Sequence, residues 1–162
     1  MKKNVIISLA DANYFLLLNE LIDSIKRFKE SEQIAICILD AGLTDEQKKD
    51  LSNKVDSIKS ADWDIEVPDS KVRGKEWLKS QVSRAFLPRY FPGYEKYLWI
   101  DADAWVNSWY PIELFLKGCE NGKLSIASSA DRAYGRVLRA EWFLGSFARI
   151  KSQNYKPVSY TH

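Results

Sequence analysis

Val5-Ile6-Ile7-Ser8-Leu9-Ala10-Asp11 is a short run rich in apolar and β-branched residues that stops at an acid, the pattern of a buried strand opening into a loop. Downstream, Phe15, Leu18, Leu21, Ile22, Ile25 and Phe28 recur every three or four positions and predict a helix with one apolar face. A second apolar run, residues 34–39, ends at Asp40. Thr44 with Gln47 then forms a capping box for a helix carrying Leu51, Val55 and Ile58. Strand, helix, strand, helix in this order predicts an α/β fold, a mainly parallel sheet with right-handed crossovers and helices on both faces.

The rest of the chain continues that alternation. Residues 65–67 predict a weaker strand, and Trp77, Val82, Ala85 and Phe86 mark a helix that Pro88 and Pro92 close. Tyr97-Leu98-Trp99-Ile100 is the third strong strand and runs directly into Asp101-Ala102-Asp103. Pro111 suits the first turn of a short helix reaching Leu116; residues 124–127 predict another strand and residues 134–150 a helix interrupted by Gly145. No internal repeat or low-complexity linker breaks the pattern.

A chain of 162 residues suits one domain burying roughly 70% of its unfolded surface. With 46% apolar and 28% charged residues and a net charge of +2, it has an ordinary globular composition and no electrostatic case for a nucleic-acid partner. Cys37 and Cys119 lack metal-ligand spacing and are expected to be reduced thiols in a cytoplasmic protein. Asp11 and Asn13 interrupt the first apolar run before it could act as a signal peptide. No segment approaches the ~20 apolar residues of a transmembrane helix, so any membrane association is expected to be peripheral.

Parallel sheets bind ligands beyond the carboxyl ends of their strands, where loops and helix starts converge. Here three strands end in aspartate: Asp11, Asp40 and Asp101. Asp101 and Asp103, one residue apart after an apolar strand, can share one hard cation whose other positions are filled by water and phosphate oxygens. Other chemistries lack their residues. The seven glycines form no Gly-x-Gly-x-x-Gly fingerprint, no Walker-type loop is present, and the sole histidine, His162, is the last residue. A Ser-His-Asp or Cys-His arrangement and a zinc site are therefore not expected.

These residues carry a resemblance. Leu9-Ala10-Asp11-Ala12-Asn13-Tyr14 resembles the first nucleotide-binding loop of glycosyltransferase family 8, a retaining family of GT-A (Rossmann-like) fold. Ile38-Leu39-Asp40-Ala41-Gly42 resembles the end of its second strand, and Trp99-Ile100-Asp101-Ala102-Asp103 its metal-binding motif. Arg84, seventeen residues before Asp101, stands where the family places a donor-contacting arginine, although Ser83 and Ala85 around it depart from the usual alanine and leucine. The similarity runs in order over roughly residues 4–110.

The resemblance implies a metal-assisted transfer of a hexose, with retention, from a UDP-sugar to a carbohydrate or glycolipid acceptor. It makes Asp101 and Asp103 ligands of Mn2+ or Mg2+, with Ala102 between them in the donor site. Ala10, Asp11, Asn13 and Tyr14 would hold uridine and ribose, and Arg84 would steady the donor. Family members run longer, so residues 1–156 are expected to be the nucleotide-sugar-binding part of a GT-A domain that is incomplete at its C-terminus. Pro157-Val158-Ser159-Tyr160-Thr161-His162 resembles a translated sequencing adapter and is expected to be a non-native tail. His162 is accordingly refused as a metal ligand, and Trp142-Phe143-Leu144-Gly145-Ser146 as a divergent family strand carries no weight.

Each residue also has a plainer reading. Tyr14 could pack beneath the following helix, Asp11 and Asp40 could be helix caps, with the cap favoured for Asp40, and Arg84 could pair with an acid on a neighbouring element. Trp99 is expected to fill core space; Trp105 and Trp109 receive no role. A haloacid-dehalogenase-like phosphatase also places Asp-x-Asp after an apolar strand, but on its first strand and with threonine or valine where Trp105 stands. A non-catalytic nucleotide-binding fragment is the third alternative.

Overall fold

The computed structural model describes residues 2–126. Strands β1 (Asn4–Ala10), β2 (Ile34–Asp40), β3 (Ser57–Ser60) and β4 (Lys96–Trp99) form one sheet in the order β3-β2-β1-β4. Every pairing is parallel. β1 therefore lies between two partners, and β1 and β2 are buried on both faces, which is why both read as continuous apolar runs rather than alternations.

The two faces hold separate cores. On one, Ile6, Ala10, Ile36 and Ile38 pack under Leu18, Leu21, Ile22 and Ile25 of helix α1 (Phe15–Lys26). On the other, Val5, Ile7, Leu9, Ala35, Cys37 and Leu39 pack with Leu87 and Phe91 from the long segment before β4. Burying an Ile or Leu side chain contributes about 1.5–3 kcal/mol each, so the paired strands dominate the stability. Burial also pushes the Cys37 thiol up to about 11, leaving it a neutral core group at physiological pH.

Helix α2 (Asp45–Ser52) opens with the expected capping box: Thr44 Oγ1 accepts from the Gln47 N–H at 3.2 Å and Gln47 Oε1 from the Thr44 N–H at 3.0 Å. The helix is shorter than its periodicity implies. Asn53 Nδ2 donates to the Lys49 carbonyl at 3.3 Å, and the Lys54 and Val55 N–H groups both turn back to Leu51. Ile58 consequently belongs to β3, not to the helix. Asp56 makes this possible by bonding Ile36 twice, N–H to carbonyl at 2.8 Å and carboxylate to N–H at 2.9 Å, which lays the chain against β2.

Between β3 and β4 the structure corrects two expectations. Residues 65–67 form no strand: Ile65 is exposed and Pro68 has no N–H for a ladder. The expected helix from Trp77 to Phe86 is a series of short pieces, α3 (Asp69–Val72), a 3-10 turn at Glu76–Leu78, α4 (Lys79–Ser83), a 3-10 turn at Arg84–Phe86 and α5 (Leu87–Tyr90). Pro88 sits in the first turn of α5, where its missing N–H is harmless, and so starts a helix instead of ending one. α6 (Tyr110–Gly118) has Pro111 in its first turn, as expected. Residues 124–126 form no strand. Ala127, the helix expected over residues 134–150, the segment 142–146, His162 and the tail 157–162 lie outside the described residues. Among the described residues no helix is long and apolar enough to cross a membrane.

Thr44→Ala removes one half of the capping box while leaving the sheet untouched. It is expected to lower stability by about 1 kcal/mol in urea unfolding with no change in m-value.

Candidate functional site

Sheet order fixes where a ligand can sit. The chain moves outward from β1 to β2 to β3, then returns to place β4 on the other side of β1. The crevice between the carboxyl ends of β1 and β4 is thus the point where strand order reverses. β4 pairs Ile7 with Trp99, and the Ile100 N–H reaches the Ile7 carbonyl at 3.0 Å. That register delivers Asp101 beside the end of β1, whose next residue is Asp11.

A cavity of about 230 Å³ occupies this crevice, and its walls include Ala10, Asp11, Tyr14, Arg84, Asp101, Ala102 and Asp103. Seven of the eight expected site residues are therefore brought together. Asn13 is the exception. Its N–H and side-chain amide bond Asp11 at 2.9 and 3.5 Å, so it braces the loop from outside the cavity wall. Asp40 caps no helix, since Thr44 does; its Oδ1 accepts from the Gly42 and Leu43 N–H groups at 2.7 and 2.6 Å and shapes the neighbouring loop. Trp77, Ser80, Gln81 and Trp99 also line the cavity and were missed in the sequence, where all four look like ordinary helix or strand residues.

The loop after β1 is held rigidly. Asp11 Oδ1 accepts from the N–H groups of Asn13 and Tyr14 at 2.9 and 3.1 Å, so Asp11 bonds the residues leading into α1 without being its cap residue. The Ala12 N–H bonds the Gly42 carbonyl at 3.1 Å and Gln47 Nε2 bonds the Ala12 carbonyl at 3.2 Å, coupling this loop to the start of α2. Gly42 has φ +127°, a conformation that side chains rarely adopt, which explains glycine there. Tyr14 is 48% exposed and lines the cavity, and it does not belong to the core packed beneath α1. Ala10 is buried, and its carbonyl accepts from the Ala41 N–H at 3.0 Å.

Asp101 is organised from the other side. Arg84 Nη2 donates to Asp101 Oδ1 at 2.7 Å and Trp99 Nε1 donates to the same oxygen at 2.7 Å. Arg84 Nε also donates to the Ser80 carbonyl at 3.0 Å, and its guanidinium lies 4.9 Å from the Trp99 ring centroid. The arginine does pair with a neighbouring acid, and that acid lies in the same cavity. Trp99 is half-buried: it packs against the second core, as expected, and in addition presents its indole N–H to the site. With both partners partly exposed, the ion pair adds only about 0–1 kcal/mol to stability; its effect is orientation.

The turn after Asp101 is closed by the Ala104 N–H on the Asp101 carbonyl at 3.0 Å. Ala102 packs into the core while Asp101 and Asp103 remain exposed. Fully buried Ser24 on α1 holds the following residues: its Oγ accepts from the Val106 N–H at 3.0 Å and donates to the Leu21 carbonyl at 2.7 Å. Arg27 Nη2 bonds the Val106 carbonyl at 3.0 Å and its guanidinium lies 4.8 Å from the centre of the Trp105 ring. Trp109 is buried, with its ring 5.8 Å from that of Phe28. Neither tryptophan lines the cavity.

Three carboxylates and one guanidinium face the cavity, giving it a negative balance that favours a cation. Carboxylate oxygens suit a hard divalent ion. No group of three or more His, Cys, Asp or Glu side chains converges among the described residues, so Asp101 and Asp103 supply at most a partial ligand set. A wider groove of about 590 Å³ lies at the amino ends of the strands, but Lys2 and Lys3 on its rim are already paired with Asp56 and Glu95.

Residues 5–113 match glycosyl transferase family 8. The chain belongs to that family. No curated protein matches it. Two similar solved structures are an active-site mutant of LgtC, at 21% identity and a TM-score of 0.49, and the galactosyltransferase LgtC in complex with donor and acceptor sugar analogues, at 21% identity and a TM-score of 0.48. Each comparison covers 67% of this chain and 41% of the other, so this chain spans less than half the length of those proteins.

Ser24→Ala leaves the Val106 N–H buried without its partner and is expected to destabilise the fold by about 1–3 kcal/mol. Thermal unfolding of the variant measures this directly.

Proposed function

We propose that this chain binds the donor of a metal-assisted glycosyltransferase reaction, with the crevice between β1 and β4 receiving a UDP-hexose. The transfer itself, from that donor to a carbohydrate or glycolipid acceptor with retention of configuration, is the activity proposed for the whole enzyme. The observation that carries the reading is the convergence of Asp11, Arg84, Asp101 and Asp103 on one cavity at the strand-order switch, in a chain of family 8.

Charge supports a cation in this role. A diphosphate approaching three carboxylates and one guanidinium is repelled unless positive charge is added. Asp101 and Asp103 would hold Mn2+ or Mg2+ there; when bound, the ion neutralises the diphosphate leaving group as its bond to the sugar breaks. Arg84 is restrained through Ser80, Asp101 and Trp99, so it meets the donor without losing much side-chain freedom on binding. Tyr14 offers an exposed aromatic face for uracil or ribose, and Asp11 is positioned by its own loop beside it. A cavity of about 230 Å³ is below the roughly 300–1,000 Å³ of sites that enclose a whole small ligand, and these walls are read as one side of the donor's surroundings. No described residue is assigned as a nucleophile.

Two alternatives separate experimentally. A haloacid-dehalogenase-like phosphatase would use Asp101 on the first strand of its sheet, whereas it follows the fourth strand here. A nucleotide-binding fragment without turnover would share the donor site, so binding is the property to measure first. In calorimetry, UDP is expected to bind with Mn2+ present and to lose binding on chelation with EDTA. Asp103→Ala is expected to weaken metal-dependent binding by more than about 100-fold, because loss of a ligand exceeds the 10- to 100-fold effect of losing a ligand's supporting partner. UDP binding that is equal with and without metal, and equal in the variant, contradicts the assignment.

A further inference from the structure

Asp101 Oδ1 accepts two N–H donors at 2.7 Å, one from Arg84 and one from Trp99. Both are committed to the same carboxylate oxygen, which leaves Oδ2 as the atom with open lone pairs. Indole is suited to this place for two reasons. Its Nε1 can only donate, so it holds a carboxylate without competing for a cation. Its ring also gives the Arg84 guanidinium a face at 4.9 Å. Phenylalanine would supply the face without the donor.

The two contacts on Oδ1 come from different elements. Arg84 comes from the series of short turns before β4 and is the group that would reach the donor, whereas Trp99 closes β4 itself, paired in register with Ile7. An N–H carried by a strand in register with β1 has its position set by the sheet, independently of what Arg84 contacts. Resting on the donor-site reading above, we infer that Trp99 is a positioning residue for the metal-ligand carboxylate of Asp101: its indole N–H fixes the carboxylate's rotation so that Oδ2 points toward the cation. The stacking of Arg84 on the same ring links the orientation of the two groups.

The test is Mn2+ titration of the full chain, in the presence of UDP, read from the electron paramagnetic resonance signal of free Mn2+. Trp99→Phe keeps a ring and removes the N–H. It is expected to weaken Mn2+ binding by about 10- to 100-fold. Replacement of Trp99 by benzothienylalanine keeps the indole shape, exchanges N–H for sulfur, and is expected to give the same loss with an unchanged circular dichroism spectrum. Wild-type Mn2+ affinity in the benzothienylalanine protein overturns the inference, because ring packing alone then suffices. Asp103→Ala serves as the control for the underlying reading. Loss of binding in Asp103→Ala with none in either Trp99 variant rejects only the role of Trp99; equal Mn2+ binding by wild type and Asp103→Ala rejects the donor site, and the inference with it.

Discussion

β1 is hydrogen-bonded on both edges and buried on both faces, and the arrangement of the site follows from that constraint. A strand so enclosed has one register with each partner, since a slip of one residue would turn every side chain to the opposite core. Its pairing with β2 aligns Ala10 with Asp40, and its pairing with β4 aligns Ile7 with Trp99. The acids that follow these strands are thereby set side by side. The loops then add precision: Gln47 and Gly42 hold the turn after β1, and Ser24 and Arg27 hold the turn after Asp103.

This division of labour separates stability from chemistry. Apolar burial within the two cores supplies the large free-energy terms, while the exposed Arg84–Asp101 pair contributes little to folding. What the polar contacts provide is restricted rotation. Asp11 is bonded through both carboxylate oxygens, and Asp101 carries two donors on one oxygen. Side chains ordered in advance lose less entropy on binding, which suits the cation and the diphosphate proposed for this site.

Much of this was legible in the residue pattern. The apolar runs of β1, β2 and β4 are too short for buried helices and end in acids, and the Thr44–Gln47 box marks a helix start that the structure reproduces atom by atom. β3 was hidden because Leu51, Val55 and Ile58 keep helical spacing across the Asn53 turn, and only the tertiary contact between Asp56 and Ile36 reveals the strand. The segment before β4 misled for a similar reason: apolar spacing from Trp77 to Phe86 resembles one helix, yet its residues serve a cavity on one side and the second core on the other. Period two assigned Trp99 to a face but could not reveal where its N–H points. The parting of Asn13 from its neighbours likewise depends on an Asx-type turn at Asp11 whose hydrogen bonds leave no periodic trace.

In the proposed function, Asp101 and Asp103 together hold the cation that admits a nucleotide diphosphate to the β1–β4 crevice. Anomalous diffraction at the manganese edge from crystals grown with UDP and Mn2+ tests it most directly. The expected result is a single strong peak within about 2.5 Å of carboxylate oxygens from both Asp101 and Asp103, a bonding distance for a hard cation, with UDP phosphate density beside it. A peak held by other residues, or UDP bound in the crevice with no manganese at these acids, would contradict it.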